Sequence, residues 1–211
     1  MEMKRLNKLF DVIIIILTFA GTVFMLTGTP EEAALHATGI ENLKFYTVLS
    51  NIFCGLTALS ELILIALNKE TNKFSALKLA ALCCVTVTFA VVAFFFGPIY
   101  GYIQFYKGGN FIFHLIEPVT AIVGFITVKR SRMPFIYTVI ATVPTLLYGF
   151  GYMGNLLING VGGPWPHTND FYAFLSWGWP AGIAIFTSIT ALTFGLACIY
   201  RAISNRRAVI S

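Results

Sequence analysis

The segment from Ala76 to Pro98 reads ALKLAALCCVTVTFAVVAFFFGP, and its one charged residue is Lys78. From Leu79 onward the run carries no charge at all. At 1.5 Å per residue, a helix over those roughly 20 positions is about 30 Å long, the thickness of a bilayer's hydrocarbon core. Working outward, five more runs share this character, at about 9 to 28, 45 to 67, 110 to 128, 133 to 155 and 171 to 200. Only helices or closed barrels satisfy every backbone polar group in lipid, and barrel strands would alternate over about ten residues, which these runs do not. The reading is an all-α polytopic membrane helix bundle, one domain over residues 1 to 211, with a bent or interfacial turn where Gly178, Pro180 and Gly182 open the last, overlong run.

Composition agrees. Of 211 residues, 57% are apolar and 11% charged, against roughly 25% charged in an ordinary soluble domain. With a mean hydropathy of +0.80, there is too little charge to cover a water-facing surface, which excludes an aqueous globular enzyme. The net charge of +5 does not indicate a nucleic-acid partner, because the Lys and Arg residues are scattered between apolar runs rather than gathered in a patch. Cys54, Cys83, Cys84 and Cys198 fall inside apolar runs and read as small hydrophobes. The first run follows Lys4, Arg5 and Lys8 but is longer than a signal h-region and lacks a small-x-small cleavage site, so it reads as a retained span.

Lys4, Arg5, Lys8, Lys69, Lys73, Lys78, Lys129, Arg130, Arg132, Arg201, Arg206 and Arg207 fall on one side of the six spans, and only Lys44 and Lys107 on the other. Cytoplasmic loops carry the excess of cations, so both termini are expected in the cytoplasm. The loops at about 29 to 44, 99 to 109 and 156 to 170 then face outward, carrying Glu31, Glu32, His36, Glu41, Trp165, His167 and Asp170. Gly149, Gly151 and Gly154 spell GxGxxG inside the fifth run, where no strand precedes and no crossover helix comes after, so close helix packing is the better account.

Ionisable residues within spans are costly and count as functional candidates. Asp11 sits at the cytoplasmic lip beside Lys8 and reads as a solvated pair. Glu61 lies deep in span two, about 14 residues or roughly 21 Å from Thr47, and reads as structural. On span two, Thr47, Ser50, Asn51, Cys54, Ala58 and Glu61 share one small, polar face, either a packing seam or a site. Span four places Asn110, His114 and Glu117 on one face, with Pro118 freeing a carbonyl near His114. Both spans run inward from the outer surface, and Thr47 and His114 lie at similar depths. A hydroxyl beside an imidazole is the minimum for nucleophilic acyl transfer, because an alcohol is a weak nucleophile until a base takes its proton.

At these residues the sequence resembles the androgen-induced and androgen-dependent integral membrane hydrolases and their bacterial relatives. Phe45-Tyr46-Thr47 opens one span, and His114 stands a turn before Pro118 in another. The resemblance implies about six spans, Thr47 as nucleophile, His114 as general base, and cleavage of fatty acid esters of hydroxy fatty acids or similar lipid esters. Where animal members carry a Tyr-Pro-Phe segment before the last span, this chain has Pro164-Trp165-Pro166-His167 and then Phe171-Tyr172. The expected chemistry is attack by Thr47 on the ester carbonyl, protonation of the leaving alkoxide by His114, and hydrolysis of the acyl-threonine by water. Ser50, Asn51, Asn110 and Asn155 are candidate oxyanion donors by position, and Glu117 is a candidate to orient the imidazole.

The expected location is a bacterial cell membrane with the site toward the outer leaflet, where Trp165, Trp177 and Trp179 would anchor the interface. The partners are a lipid ester and the surrounding membrane lipid, with no obligate protein partner. No cofactor is implied. His36, His114, His167, Glu61, Glu117 and Asp170 lack metal-ligand spacing, so no metal is expected. A rival reading is a small-solute binding or transport subunit, whose polar face would be a pocket rather than a reactive pair; a structural lipid-packing protein is a third.

Overall fold

The computed structural model describes residues 2–28, 37, 39–69, 71, 74–163 and 167–208. Glu31, Glu32, His36, Lys73, Pro164, Trp165 and Pro166 lie outside the described residues. The protein is an all-α bundle with six helices long and apolar enough to cross a membrane. They are α1 (Glu2–Thr27), α2 (Tyr46–Ala66), α3 (Ser75–Tyr100), α4 (Gly108–Thr127), α5 (Ile136–Asn159) and α6 (Trp179–Arg206). Among the described residues there is no strand, only an isolated bridge between Gly162 and Thr168.

The uncharged run that decides the fold forms the centre of the bundle. Residues 79 to 88 are buried without a break, as expected of a helix apolar on every face. α3 packs against α2, α4, α5 and α6, while α1 packs against α2 and α4. α1 and α6 are peripheral, presenting Ile16, Phe19, Ile183 and Ile199 outward, where lipid would replace water. Lipid tails are as apolar as Leu, so helices in a bilayer associate through close packing and polar contacts instead. Gly55 admits the side chain of Thr18, Gly21 admits the Phe113 ring, and Gly124 admits Phe10.

Four of the six spans begin and end within about two residues of the boundaries read from sequence, apart from an N-terminal extension of α1. The fifth is displaced by three or four residues, starting after Pro134 and ending where Gly160 takes a positive φ of 69°. The last differs most, because α6 starts at Trp179 rather than 171. Pro180 fits only the first turn of a helix, and residues 171 to 177 are held in turns by Asp170, whose carboxylate accepts from the amides of Phe174 and Leu175 at 2.9 Å each.

Asp11 is not a solvated partner of Lys8. It is fully buried and bonded to Lys78 at 2.6 Å and to Asn7 at 3.3 Å. Asn7, Asp11 and Ile14 share the inward stripe of α1, and Lys8 falls off it. Lys78 also pairs with Glu61, while Arg130 donates to Asn7 at 3.2 Å and lies 3.8 Å from Glu61. This cluster ties α1, α2, α3 and the segment after α4 together at one end of the bundle. Breaking a buried pair leaves an uncompensated charge worth about 3–5 kcal/mol, so Glu61 serves the fold. Of the three glycines in the GxGxxG match, only Gly149 is a packing glycine, against Phe186; a Cβ on Gly151 or Gly154 would meet nothing within 4 Å.

Candidate functional site

Phe45 is extended (φ −82°, ψ 136°) and its side chain makes no cap, so the first amides of α2 must find other acceptors. The Tyr46 amide donates to the Tyr172 hydroxyl at 2.8 Å. The Val48 and Leu49 amides both reach the Phe45 carbonyl at 3.1 Å. Thr47 is thereby left as the amide of that turn without an acceptor among the described residues, at the positive end of the helix.

The side chain of Thr47 turns toward α4. Its Oγ1 lies 3.2 Å from Nε2 of His114, whose Nδ1 lies 3.0 Å from the Phe105 carbonyl oxygen. A carbonyl can only accept, so Nδ1 carries the hydrogen, and in a neutral ring Nε2 is left as the acceptor for the Thr47 hydroxyl. Phe105 sits in a short 3-10 turn, Ile103–Phe105. Its ring stacks on Phe96 (centroids 5.8 Å apart) and meets the imidazole edge-on at 6.2 Å, fixing the carbonyl in place.

His114 stands in a π turn, Ile112–Ile116, within α4. Pro118 has no N–H to offer the His114 carbonyl, and its ring would clash with that carbonyl in a regular turn; widening the turn relieves both problems. α3 repeats the device, with a π turn at Val92–Phe96 and then Pro98. The extra residue rotates the C-terminal part of the helix by about 100° relative to its N-terminal part. Glu117 therefore leaves the face of His114 and accepts from Thr18 Oγ1 at 2.7 Å. It does not orient the imidazole; the Phe105 carbonyl does.

Ser50 and Asn51 brace the helix that carries Thr47. The Ser50 hydroxyl donates to the Thr47 carbonyl at 3.0 Å and lies 3.1 Å from Thr88 Oγ1. The Asn51 amide group donates to the Thr47 carbonyl at 2.7 Å and the Phe113 carbonyl at 3.1 Å, joining α2 to α4 beneath the pair. With those hydrogens committed, neither residue is an open oxyanion donor. Asn110 is buried in the first turn of α4 and is not without a partner. Asn155 accepts from Asn159 on its own helix at 2.7 Å, and no hydrogen bond joins it to Thr47 or His114 among the described residues.

The loop before α6 covers this end of α2. Asp170 accepts from the Tyr152 hydroxyl at 2.5 Å, and Phe171 and Tyr172 pack edge-on against Phe45 at 5.2 and 5.9 Å. The Tyr148 hydroxyl donates to the Lys44 carbonyl at 2.7 Å. Lys44 Nζ lies over the rings of Phe45 and Phe171, at 5.5 and 5.3 Å. Burial pushes the Tyr172 phenol up to about 12, so it keeps its hydrogen. The Phe105 carbonyl and Tyr172 were missed from sequence: a backbone acceptor leaves no signature, and the signal for Tyr172 was the aromatic pair directly after Asp170. Trp177 and Trp179 are exposed, as interfacial anchors would be.

Among the described residues no group of His, Cys, Asp or Glu could hold a metal ion. A cavity of about 30 Å³ lies at the opposite, charged end, lined by residues including Asn7, Asp11, Lys78 and Arg130 but neither Thr47 nor His114. That is room for a water or two, at roughly 10–15 Å³ each. No family model, curated protein or solved structure matches the chain.

Proposed function

We propose that this protein is an intramembrane ester hydrolase in which Thr47 is the nucleophile and His114 the general base. The observation that carries the reading is the 3.2 Å approach of Thr47 Oγ1 to an imidazole nitrogen left as acceptor by the Phe105 carbonyl on the other nitrogen. As Oγ1 bonds to the ester carbon, its proton passes to Nε2; the imidazolium returns that proton to the departing alkoxide. Water, deprotonated by the same nitrogen, then releases the acid and restores threonine.

The pair lies near the end of the bundle that carries Lys44 and Lys107, opposite the cation-rich end, so the positive-inside rule assigns it to the outer leaflet. A lipid ester would reach it sideways, its carbonyl at headgroup level and its tails along the helices. Fatty acid esters of hydroxy fatty acids are the substrate class that the family resemblance suggests. The rival reading, capture of a small solute, would use the same polar face as a pocket rather than as a reactive pair.

The test is hydrolysis of a long-chain hydroxy-fatty-acid ester by purified protein. Thr47→Ala and His114→Ala should each lower kcat by at least about 10³-fold, and the double variant by little more, because groups acting in one step are not additive. Thr47→Ser should retain activity. Parental turnover by Thr47→Ala would defeat the proposal.

A further inference from the structure

An ester carbonyl attacked by Thr47 becomes an oxyanion, and hydrogen-bond donors aimed at that developing charge usually give the largest single contribution to such catalysis. Of the donors suggested by sequence, Ser50 and Asn51 are committed to carbonyls, and Asn155 forms no hydrogen bond to Thr47 or His114 among the described residues. The cover over α2 holds another donor, the Tyr172 hydroxyl at the first turn of that helix.

We propose that Tyr172 is a catalytic residue, donating its phenolic hydrogen together with the Thr47 amide to the oxygen of the ester carbonyl as that oxygen takes negative charge. The proposal rests on the hydrolase reading of Thr47 and His114. Three observations carry it. First, the Tyr172 oxygen accepts from the Tyr46 amide at 2.8 Å. Consecutive amide nitrogens are about 3 Å apart, which puts the phenol within about 6 Å of the Thr47 nitrogen. Two donors at that separation can converge on one oxygen. Second, the hydrogen of Tyr172 has no good acceptor among the described residues. The Tyr148 hydroxyl is 3.5 Å away, beyond the usual 2.5–3.0 Å for O–H···O, and it already donates to the Lys44 carbonyl at 2.7 Å. Third, the ring is held by contacts with Phe45, Phe171 and Phe174, at 5.9, 4.9 and 5.2 Å between centroids. A donor fixed before reaction needs no reorganisation as charge develops.

The steps balance. Thr47 Oγ1 bonds to the carbonyl carbon, the C=O π pair moves onto oxygen, and the Thr47 proton goes to His114. The oxyanion accepts from Tyr172 and the Thr47 amide without either donor giving up its hydrogen. Collapse re-forms C=O and expels the alkoxide, which takes the His114 proton. Water then adds to the acyl-threonine, with its proton on His114, through a second oxyanion held by the same donors; collapse releases the acid and returns the proton to Thr47.

The experiment measures turnover and inhibition in purified, lipid-reconstituted protein. Tyr172→Phe should lower kcat by about 10²- to 10³-fold, the usual effect of removing one oxyanion donor, with KM within about twofold. Inhibition by a long-chain trifluoromethyl ketone, which adds to the nucleophile as a tetrahedral oxyanion, should weaken by a similar factor. The affinity for the corresponding unreactive amide should stay unchanged. A scaffold role would not separate those two ligands, so unchanged kcat, or equal weakening of ketone and amide, overturns the proposal. If Tyr172→Phe does not fold, 3-fluorotyrosine at position 172 keeps the contacts and sharpens the donor; kcat should then change severalfold, and an unchanged kcat overturns the proposal. Loss of activity in Thr47→Ala with none in Tyr172→Phe refutes only the role of Tyr172, whereas parental activity in Thr47→Ala refutes the hydrolase reading itself.

Discussion

At His114, the carbonyl of Phe105 takes the position a carboxylate occupies in a catalytic triad: it accepts the Nδ1 hydrogen and leaves Nε2 facing Thr47. A carbonyl fixes the tautomer without supplying a full negative charge. Glu117, although fully buried three residues further along α4, stands apart from this arrangement and pairs with Thr18. Glu117→Gln should therefore keep turnover within about threefold of the parent under saturating ester, since a glutamine carbonyl still accepts from Thr18; initial rates on the folded variant decide this. A loss comparable to His114→Ala would return Glu117 to the reacting set. Thr47 and His114 were legible in the sequence as a hydroxyl and an imidazole at matching depth on two inward-running spans. The partner of the imidazole was not, because spacing on a regular helix puts Glu117 on the face of His114 and the π turn removes it.

Among the elements, helix existence was legible almost everywhere, because an uncharged run of about 20 residues has few alternatives to a span. What escaped was local geometry set by single residues: the widened turns before Pro98 and Pro118, and the late start of α6 at Pro180. The glycines of α5 show the limit of motif reading. Gly149, Gly151 and Gly154 look equivalent in sequence, yet only Gly149 faces a neighbour, Phe186 of α6. Gly149→Ala should cost about 1–3 kcal/mol by overpacking the α5–α6 contact, while Gly151→Ala should leave stability unchanged or slightly raised, since alanine favours a helix by about 1 kcal/mol. Thermal denaturation in one detergent compares them; equal losses would contradict the packing described for α5.

Across the whole molecule, polar groups gather at opposite ends for different purposes. At one end Asp11, Glu61, Lys78 and Arg130 answer one another's charges and bind four parts of the chain. At the other, Thr47 faces His114 at 3.2 Å, and the Tyr172 hydroxyl accepts from the Tyr46 amide beside them. The first set stabilises; the second is the one we propose to react. The direct measurement is the intact-protein mass after incubation with a long-chain alkyl fluorophosphonate, together with peptide mapping. The proposed hydrolase should gain one adduct, on Thr47, and His114→Ala should gain none. An unmodified protein, or an adduct on any other residue, would contradict the assignment of Thr47 as nucleophile.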